Sequence, residues 1–306
     1  MSATTVEMVK TSLITFNLLG SFGNLNIIIA TIKHREFKRK HGILLAILAT
    51  CDLLCLWNEL QSFARIILNE TDSTLINCFY LNSLYIFIEP MEVYVILALA
   101  IDRVVAITLP IFYKIYPPRK YALIMSIPGL ICGAFFVIAS YLHLRDEKVD
   151  VCVLPYAMPS EVSKLWNHFN MYGAILTILI YIYTYIRVYL FDSSMTANAR
   201  HRYTLMLNTV VIQAAVFFFS SVVSAGIIML MEYYHASEEA IIDANMLAVI
   251  PGLISYSCNF YVYFWRSRDY RKAFLKQLLC SDGTDDNRVF SIADPSKSPK
   301  SVLTSI

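Results

Sequence analysis

Charged residues are scarce in this chain: Asp, Glu, Lys and Arg make up only 16% of its 306 residues, against about 25% in a typical soluble domain. The hydrophobic share is 57% and the mean hydropathy is +0.56, which excludes a disordered chain and disfavours a soluble enzyme with one core. The 9 glycines and 7 cysteines are too few for collagen or a disulfide-stapled secreted domain. A net charge of +2 is too small to indicate a nucleic-acid partner. The composition therefore indicates a polytopic membrane protein.

The sequence also lacks the usual signs of catalysis and of repeat-built transporters. No internal repeat is evident, which argues against many transporter folds. No pair of His residues has metal-binding spacing, and no Ser or Cys nucleophile stands beside a base at helical spacing. We therefore predict that the protein is not an enzyme and has neither a catalytic nor a metal site.

Seven apolar runs are each long enough to cross the hydrocarbon core, which takes about 20 residues of helix. They cover residues 11–32, 43–68, 79–105, 121–141, 166–190, 203–231 and 241–265. The runs are continuous and lack the alternation of barrel strands, so we predict an all-α membrane bundle of seven helices. Residues 11–268 would form this bundle, and residues 1–10 precede it.

The basic residues are distributed unevenly between the two sides of the predicted bundle. When the connections are assigned alternately, twenty of the 25 Lys and Arg residues fall on one side. Because cytoplasmic loops are enriched in Lys and Arg, this asymmetry predicts an extracellular N-terminus, residues 1–10, and a cytoplasmic C-terminus.

Several ionisable residues interrupt the apolar spans: Asp52, Glu59, Glu89, Glu92 and the Asp102-Arg103 pair. A charged residue at the centre of a span raises the free energy of membrane insertion by roughly 2.5–3.5 kcal/mol, so such side chains usually face the bundle interior. Glu89 and Glu92 are three residues apart and share a helix face. Two interpretations stay open for this pair: a polar network that fixes helix packing, or a site for a cation, a proton or a ligand.

Two cysteines are candidates for a disulfide on the oxidising, extracellular side. Cys78 and Arg103 lie at opposite ends of the third span, roughly 38 Å apart at 1.5 Å per residue. Cys78 and Cys152 are therefore the two cysteines expected near the extracellular surface, and we predict that they are bonded. The sequon Asn69-Glu70-Thr71 lies in the first outer loop, and Asn69 is a candidate glycosylation site.

Six short motifs follow one another along the chain: Gly23-Asn24, Leu48-Ala49-Thr50-Cys51-Asp52-Leu53-Leu54, Asp102-Arg103-Val104, Pro110, Asn259-Phe260-Tyr261-Val262-Tyr263 and Asp269-Tyr270-Arg271-Lys272-Ala273-Phe274. In this order they resemble the motifs of the rhodopsin-like G-protein-coupled receptors. They are similar to the family's LAxxDLL, DRY and NPxxY segments and its eighth helix, with Phe260 in place of Pro. This Phe makes the chain resemble the nematode serpentine chemoreceptors of class SX.

The resemblance implies roles for the matching residues. Asp102, Arg103 and Tyr263 would form the activation and G-protein-coupling face. Asn24, Asp52 and Asn259, with Glu92 beside them, would form a polar mid-membrane site that holds a sodium ion in relatives, and no other cofactor is expected. Two carboxylates in that site would repel each other unless a proton or a cation lies between them.

A ligand pocket is expected above Asp52. Its candidate residues are Trp57, Glu59, Tyr85 and Glu89, together with aromatic residues of the fifth to seventh spans. Tyr85 occupies the position at which aminergic relatives have an Asp, which disfavours a monoamine ligand. The sixth span lacks the family's Pro and Trp, and a Pro kink is the usual hinge of that helix. Only Ser220-Ser221, Ser224 and Gly226 are candidates for a bend in this span.

The C-terminal region has two predicted parts. Residues 269–280 form an amphipathic helix lying on the membrane, with Tyr270, Ala273, Phe274 and Leu278 on one face, and Cys280 is a candidate palmitoylation site. Residues 281–306 are polar and predicted to be a disordered cytoplasmic tail. This tail offers phosphorylation sites for an arrestin-type partner and a C-terminal sequence that fits a PDZ-type domain.

We therefore expect a chemosensory receptor in the plasma membrane, and in sensory cilia if the resemblance extends so far. It would bind a small extracellular ligand and catalyse nucleotide exchange on a heterotrimeric G protein. A neuropeptide-type receptor with a peptide ligand is one alternative. A seven-helix ligand-gated channel or transporter, with Glu89 and Glu92 along an ion path, is another.

Overall fold

A computed structural model describes residues 3–68, 73–149, 152–191, 197–234 and 237–279. Its helices are α1 Ala3–Lys33, α2 Lys40–Ile67, α3 Leu75–Thr108, α4 Pro110–Ile115, α5 Pro118–Leu142, α6 Ser160–Ile186, α7 Ala197–Tyr233, α8 Glu238–Leu247, α9 Val249–Arg266 and α10 Arg268–Leu278. Short 3₁₀ turns occupy Arg35–Phe37 and Leu154–Ala157, and a π-helical turn, Arg187–Phe191, extends α6. Two short strands, β1 Ser73–Thr74 and β2 Lys148–Val149, pair antiparallel.

The described residues contain seven helical segments long and apolar enough to cross a membrane, which confirms the predicted bundle. Their helices are longer than the apolar runs, because helical hydrogen bonding continues into the polar flanks. The first helix begins at Ala3 rather than at residue 11. Large apolar side chains such as Leu123, Ile131 and Leu142 lie exposed on the outer surface of α5, where lipid would cover them.

The third span, α3, is the most buried of the seven. It packs against α2, α5 and α6. Its interior face holds both apolar residues, such as Leu99, and the carboxyl side chains of Glu89 and Glu92. The acidic residues found in the sequence therefore face the bundle interior, as their cost in lipid requires.

The seventh span differs from its prediction, because it consists of two helices. The first, α8, ends before Ala248, and α9 begins after it. The Ser224 hydroxyl of α7 donates a hydrogen bond of 2.8 Å to the Ala248 carbonyl oxygen. The helical break therefore lies beside the polar residues of the sixth span, whereas α7 itself is one continuous helix.

The two ends of the bundle are built differently. At one end, Cys78 and Cys152 form a disulfide, next to the pair β1–β2, and we call this the disulfide end. Arg65 donates a hydrogen bond of 3.3 Å to the Cys152 carbonyl oxygen there. The opposite end contains Arg103 and is called the Arg103 end.

The last described helix, α10, packs on the Arg103 end. The Ser267 hydroxyl caps it by accepting a hydrogen bond from the Tyr270 backbone N–H. Tyr270, Ala273 and Phe274 are buried, and the Tyr270 ring stacks on Phe37 with 4.2 Å between centroids. Burial raises the pKa of Tyr270 above its ordinary value. Leu278, predicted on the same face, is exposed, because the helix ends there. Asn69, Cys280 and the tail 281–306 lie outside the described residues.

Candidate functional site

A cavity of about 880 Å³, its open mouth included, lies inside the bundle. Helices α2, α3, α6, α7, α8 and α9 and the Leu154–Ala157 turn surround it. The residues lining it are Glu59, Tyr85, Glu89, Glu92, Leu154, Pro155, Trp166, Asn167, Asn170, Met171, Phe217, Ser220, Ser221, Ser224, Ala225, Asn245, Ala248, Val249, Gly252, Ser255 and Tyr256. Three of the four residues predicted individually for the pocket, Glu59, Tyr85 and Glu89, are among them.

Glu59 and Tyr85 form one polar contact of the cavity wall. The Tyr85 hydroxyl donates a hydrogen bond of 2.6 Å to Glu59 Oε1. Tyr85 is also hydrogen-bonded to Tyr256, a residue the sequence did not single out. Tyr85 itself has no carboxylate, but the Glu59 carboxyl group of α2 lies at its hydroxyl.

Glu89 forms the second polar contact. Trp166 Nε1 donates a hydrogen bond of 2.6 Å to Glu89 Oε2, and the Asn170 side chain is hydrogen-bonded to the same carboxyl group. Trp166 and Asn170 are four residues apart on α6, so they share one face. Trp166 is one of the aromatic residues of the fifth span expected in the pocket, whereas Asn170 was not predicted, because no sequence pattern pairs it with Glu89.

Trp57 lies elsewhere, contrary to its predicted place in the pocket. Its side chain is 49% exposed and donates a hydrogen bond of 3.1 Å to the Ser21 hydroxyl. Trp57 and Glu59 are two positions apart, and a helix turns about 200° over that distance. One of them must point away from the cavity, and the carboxyl group is the one that cannot face lipid cheaply.

The polar mid-membrane residues come together below the cavity. Asn259 Nδ2 donates a hydrogen bond of 2.6 Å to Asp52 Oδ2, and the carboxyl groups of Asp52 and Glu92 are hydrogen-bonded to each other. Asn24 is hydrogen-bonded to the backbone instead: its side-chain amide donates to the Tyr256 carbonyl oxygen at 2.9 Å and so connects α1 to α9. Asp52 and Glu92 are 1% and 2% exposed.

Two carboxyl groups in contact need either a shared proton or a cation between them. A hydrogen bond between two carboxyl groups requires a proton on one of them, and Asn259 directs its amide N–H toward Asp52. Among the described residues, no group of three or more His, Cys, Asp or Glu could hold a metal ion. Sodium at Asp52 stays a prediction from the resemblance.

The Arg103 end holds a second polar cluster. Arg103 and Asp102 form a buried ion pair, and Tyr121 is buried close to Asp102. His41 Nε2 lies 3.0 Å from the Tyr263 hydroxyl. His41 Nδ1 lies 3.8 Å from Asp102 Oδ2. The three predicted residues are therefore in one cluster, although Tyr263 reaches the pair through His41.

His41, Lys40 and Tyr121 were missed by the sequence analysis. The Lys40 ammonium donates to the Tyr113 carbonyl oxygen and lies 4.3 Å from the centre of the Tyr113 ring, which fastens α2 to α4. His41 follows a run of basic residues and carries no motif of its own. Its only signal was its position at the first residues of the second span.

The comparison with known families agrees with this geometry. A family model described as the serpentine-type 7TM GPCR chemoreceptor Srsx matches residues 17–278. No curated protein matches the chain. The match spans all seven membrane helices and most of α10, and its family is the class that the motifs indicated. The chain therefore belongs to the Srsx family of serpentine-type seven-transmembrane G-protein-coupled chemoreceptors.

Proposed function

We propose that this receptor binds an extracellular ligand in the cavity and catalyses nucleotide exchange on a heterotrimeric G protein at the Arg103 end. The family supplies the receptor class. The proposal adds the place of binding, the direction of signalling and the residues that connect the two.

The observation that supports it is a pair of polar networks, one below the cavity and one at the Arg103 end, that helix α9 connects. Glu92 lines the cavity and is hydrogen-bonded to Asp52, which accepts from Asn259. Asn259 and Tyr263 are four residues apart on α9 and share a face. Tyr263 is hydrogen-bonded to His41, which adjoins Asp102 and hence Arg103. A ligand that shifts Glu92 therefore acts on the network that includes Asn259, and α9 carries the displacement to Tyr263 and the Arg103 cluster.

The distribution of basic residues supports one orientation in the membrane. Most of them lie in the connections at the Arg103 end and in α10 and the tail, and cytoplasmic segments are enriched in Lys and Arg, so the proposed location of that end is the cytoplasm. The disulfide end then faces the oxidising exterior. The cellular site is the plasma membrane, and a chemosensory role makes sensory cilia the specific location we propose.

The C-terminal segment supplies the remaining partners. α10 places Arg271, Lys272 and Lys276 beside its buried aromatic face, a composition suited to the lipid headgroup region. Palmitoylation of Cys280 would strengthen this attachment. Arrestin-type and PDZ-type proteins are proposed to bind the tail that follows.

Second-messenger output in cells tests the function. Cells expressing the wild type are screened against a panel of chemosensory compounds, with Arg103→Ala and Arg119→Ala beside it. Arg119 is exposed at the Arg103 end, so its loss removes the same charge without touching the Asp102 pair. We expect the wild type and Arg119→Ala to respond, and Arg103→Ala to stay silent at equal surface expression.

Two outcomes contradict the proposal. A full response from Arg103→Ala removes Arg103 from the coupling face. A compound-gated current that persists without any G protein assigns the protein to the ligand-gated channels instead.

A further inference from the structure

The acidic side chains of the cavity have no basic counterpart in the lining that the structure describes. Glu59, Glu89 and Glu92 line the cavity and are 8%, 6% and 2% exposed. None of the described residues that line it is Lys, Arg or His. Among the described residues, no ion pair involves these three carboxyl groups, whereas Asp102 at the opposite end has Arg103. Intramembrane carboxyl groups without a basic partner are costly to maintain for packing alone.

Aromatic residues stand directly at the carboxyl groups. Tyr85 donates to Glu59 and Trp166 donates to Glu89, both at 2.6 Å. Phe217 and Tyr256 also line the cavity. The cavity is therefore lined by carboxyl groups and aromatic rings. These two kinds of group stabilise an organic cation, the first by charge and the second by the electron-rich face of the ring.

The carbonyl oxygen of the Asn170 side chain gives independent evidence that a hydrogen-bond donor belongs in the cavity. The Asn170 side chain is hydrogen-bonded to Glu89, but its carbonyl oxygen is buried and has no hydrogen-bond partner among the described residues. Asn170 lines the cavity. A buried acceptor left unpaired costs about as much as a lost hydrogen bond, and a ligand N–H placed beside Glu89 would satisfy it.

From these three features we propose that the cavity takes a small organic ammonium ion, held by Glu59 and Glu89. This inference rests on the proposed function, since it names the ligand class of the same site. Tyr85 does not argue against an amine in this fold, because Glu59 reaches its hydroxyl from α2. An anionic ligand would meet three carboxyl groups and no basic side chain, so carboxylates and phosphates are excluded as ligands.

Direct binding to the purified, full-length receptor in lipid nanodiscs tests the proposal without a G protein. The probes are choline, benzylammonium and tyramine. Each is paired with a neutral analogue in which carbon or hydroxyl replaces the charged nitrogen, and with a carboxylate of similar size. We expect at least one ammonium probe to bind at millimolar concentration or below, and its neutral and anionic partners to bind at least about tenfold more weakly.

Substitutions locate the binding. Glu59→Gln and Glu89→Gln keep the volume and an oxygen that accepts from Tyr85 or Trp166, so both variants should fold. Each should weaken ammonium binding about tenfold or more, because a hydrogen bond to a charged group is lost. Glu161→Gln is the matched control, since Glu161 is exposed at the start of α6 and should leave binding unchanged.

The results separate this inference from the proposed function. The inference is overturned if no ammonium probe binds, if neutral or anionic partners bind equally well, or if both Gln variants bind like the wild type. A neutral compound that triggers Arg103-dependent exchange would leave the proposed function standing and remove only the ammonium ligand. If an ammonium probe binds but signalling survives Arg103→Ala, the ammonium ligand stands and the proposed coupling through Arg103 is removed.

Discussion

The imidazole of His41 and the hydroxyl of Tyr263 are hydrogen-bonded across 3.0 Å, although 222 residues separate them. The other ring nitrogen of His41 lies 3.8 Å from Asp102 Oδ2. One side chain at the start of α2 thus links α3 to α9 at the proposed cytoplasmic face. Such a link favours the conformation in which it is made.

Replacing His41 should therefore raise basal signalling. His41→Ala removes the contact to Tyr263, and the basal rate of nucleotide exchange should increase about fivefold, because a neutral hydrogen bond is worth about 1 kcal/mol. The rate is measured on a purified G protein without ligand. His143→Ala, at an exposed residue of the disulfide end, is the control. An unchanged or lower basal rate in His41→Ala would show that this contact does not restrain the receptor.

A second prediction concerns Phe260, which stands where relatives have Pro. A Cβ at Gly23 would lie 2.6 Å from the Phe260 Cβ, so α1 and α9 can approach here only because Gly23 has no side chain. Gly23→Ala should lower the stability by about 1–3 kcal/mol, as overpacked core sites do. Thermal unfolding in nanodiscs measures the change.

The matched control for that change is Gly226→Ala, since nothing lies within 4 Å of the new Cβ. The same chemical change there should be neutral or slightly stabilising, because Ala favours helix over Gly. If both variants lose equal stability, the close packing of Gly23 on Phe260 is not the cause. The loss in Gly23→Ala combined with Phe260→Ala should be smaller than the sum of the two single losses.

Much of the fold was predictable from hydropathy because lipid allows only segments that satisfy their own backbone hydrogen bonds. The seven spans, the inward carboxyl groups and the Cys78–Cys152 disulfide all follow from this constraint and from the oxidising exterior. The break at Ala248 also has a sequence signal, although it was not predicted: Pro251 has no N–H to donate to the Leu247 carbonyl oxygen one turn earlier, and its ring clashes with that carbonyl. The tertiary hydrogen bond from Ser224 to the Ala248 carbonyl oxygen is the part that no local pattern records.

The candidate site was only partly predictable for a similar reason. Residue type identified Glu59, Glu89 and Asp52 as inward-facing, because lipid exposure of a carboxyl group is costly. An aromatic residue such as Trp57 has no such restriction, and it faces outward. The partners Trp166 and His41 depend on how distant helices pack together, which a single sequence does not reveal.

The disulfide provides a third prediction. The bond Cys78–Cys152 closes a loop of 74 residues, and Asn82 donates to the Cys152 sulfur at 3.3 Å. Cys152→Ser should destabilise the receptor by about 2–4 kcal/mol and reduce surface expression. Cys132→Ser, at a half-buried free thiol, is the control. Reductant should lower the melting temperature of the wild type and of Cys132→Ser but not that of Cys152→Ser, and an equal response in all three would contradict a structural disulfide.

The last prediction distinguishes a shared proton from a sodium ion between Asp52 and Glu92. Glu92→Gln keeps an N–H that can donate to Asp52, so its stability should stay within about 1 kcal/mol of the wild type. Glu92→Leu leaves the buried Asp52 carboxyl group without that donor and should lose about 2 kcal/mol or more. Replacing sodium by N-methylglucamine should not change the melting temperature of the wild type, because the proton already satisfies the pair. A sodium-specific stabilisation that disappears in Asp52→Asn would instead place the ion between the two carboxylates.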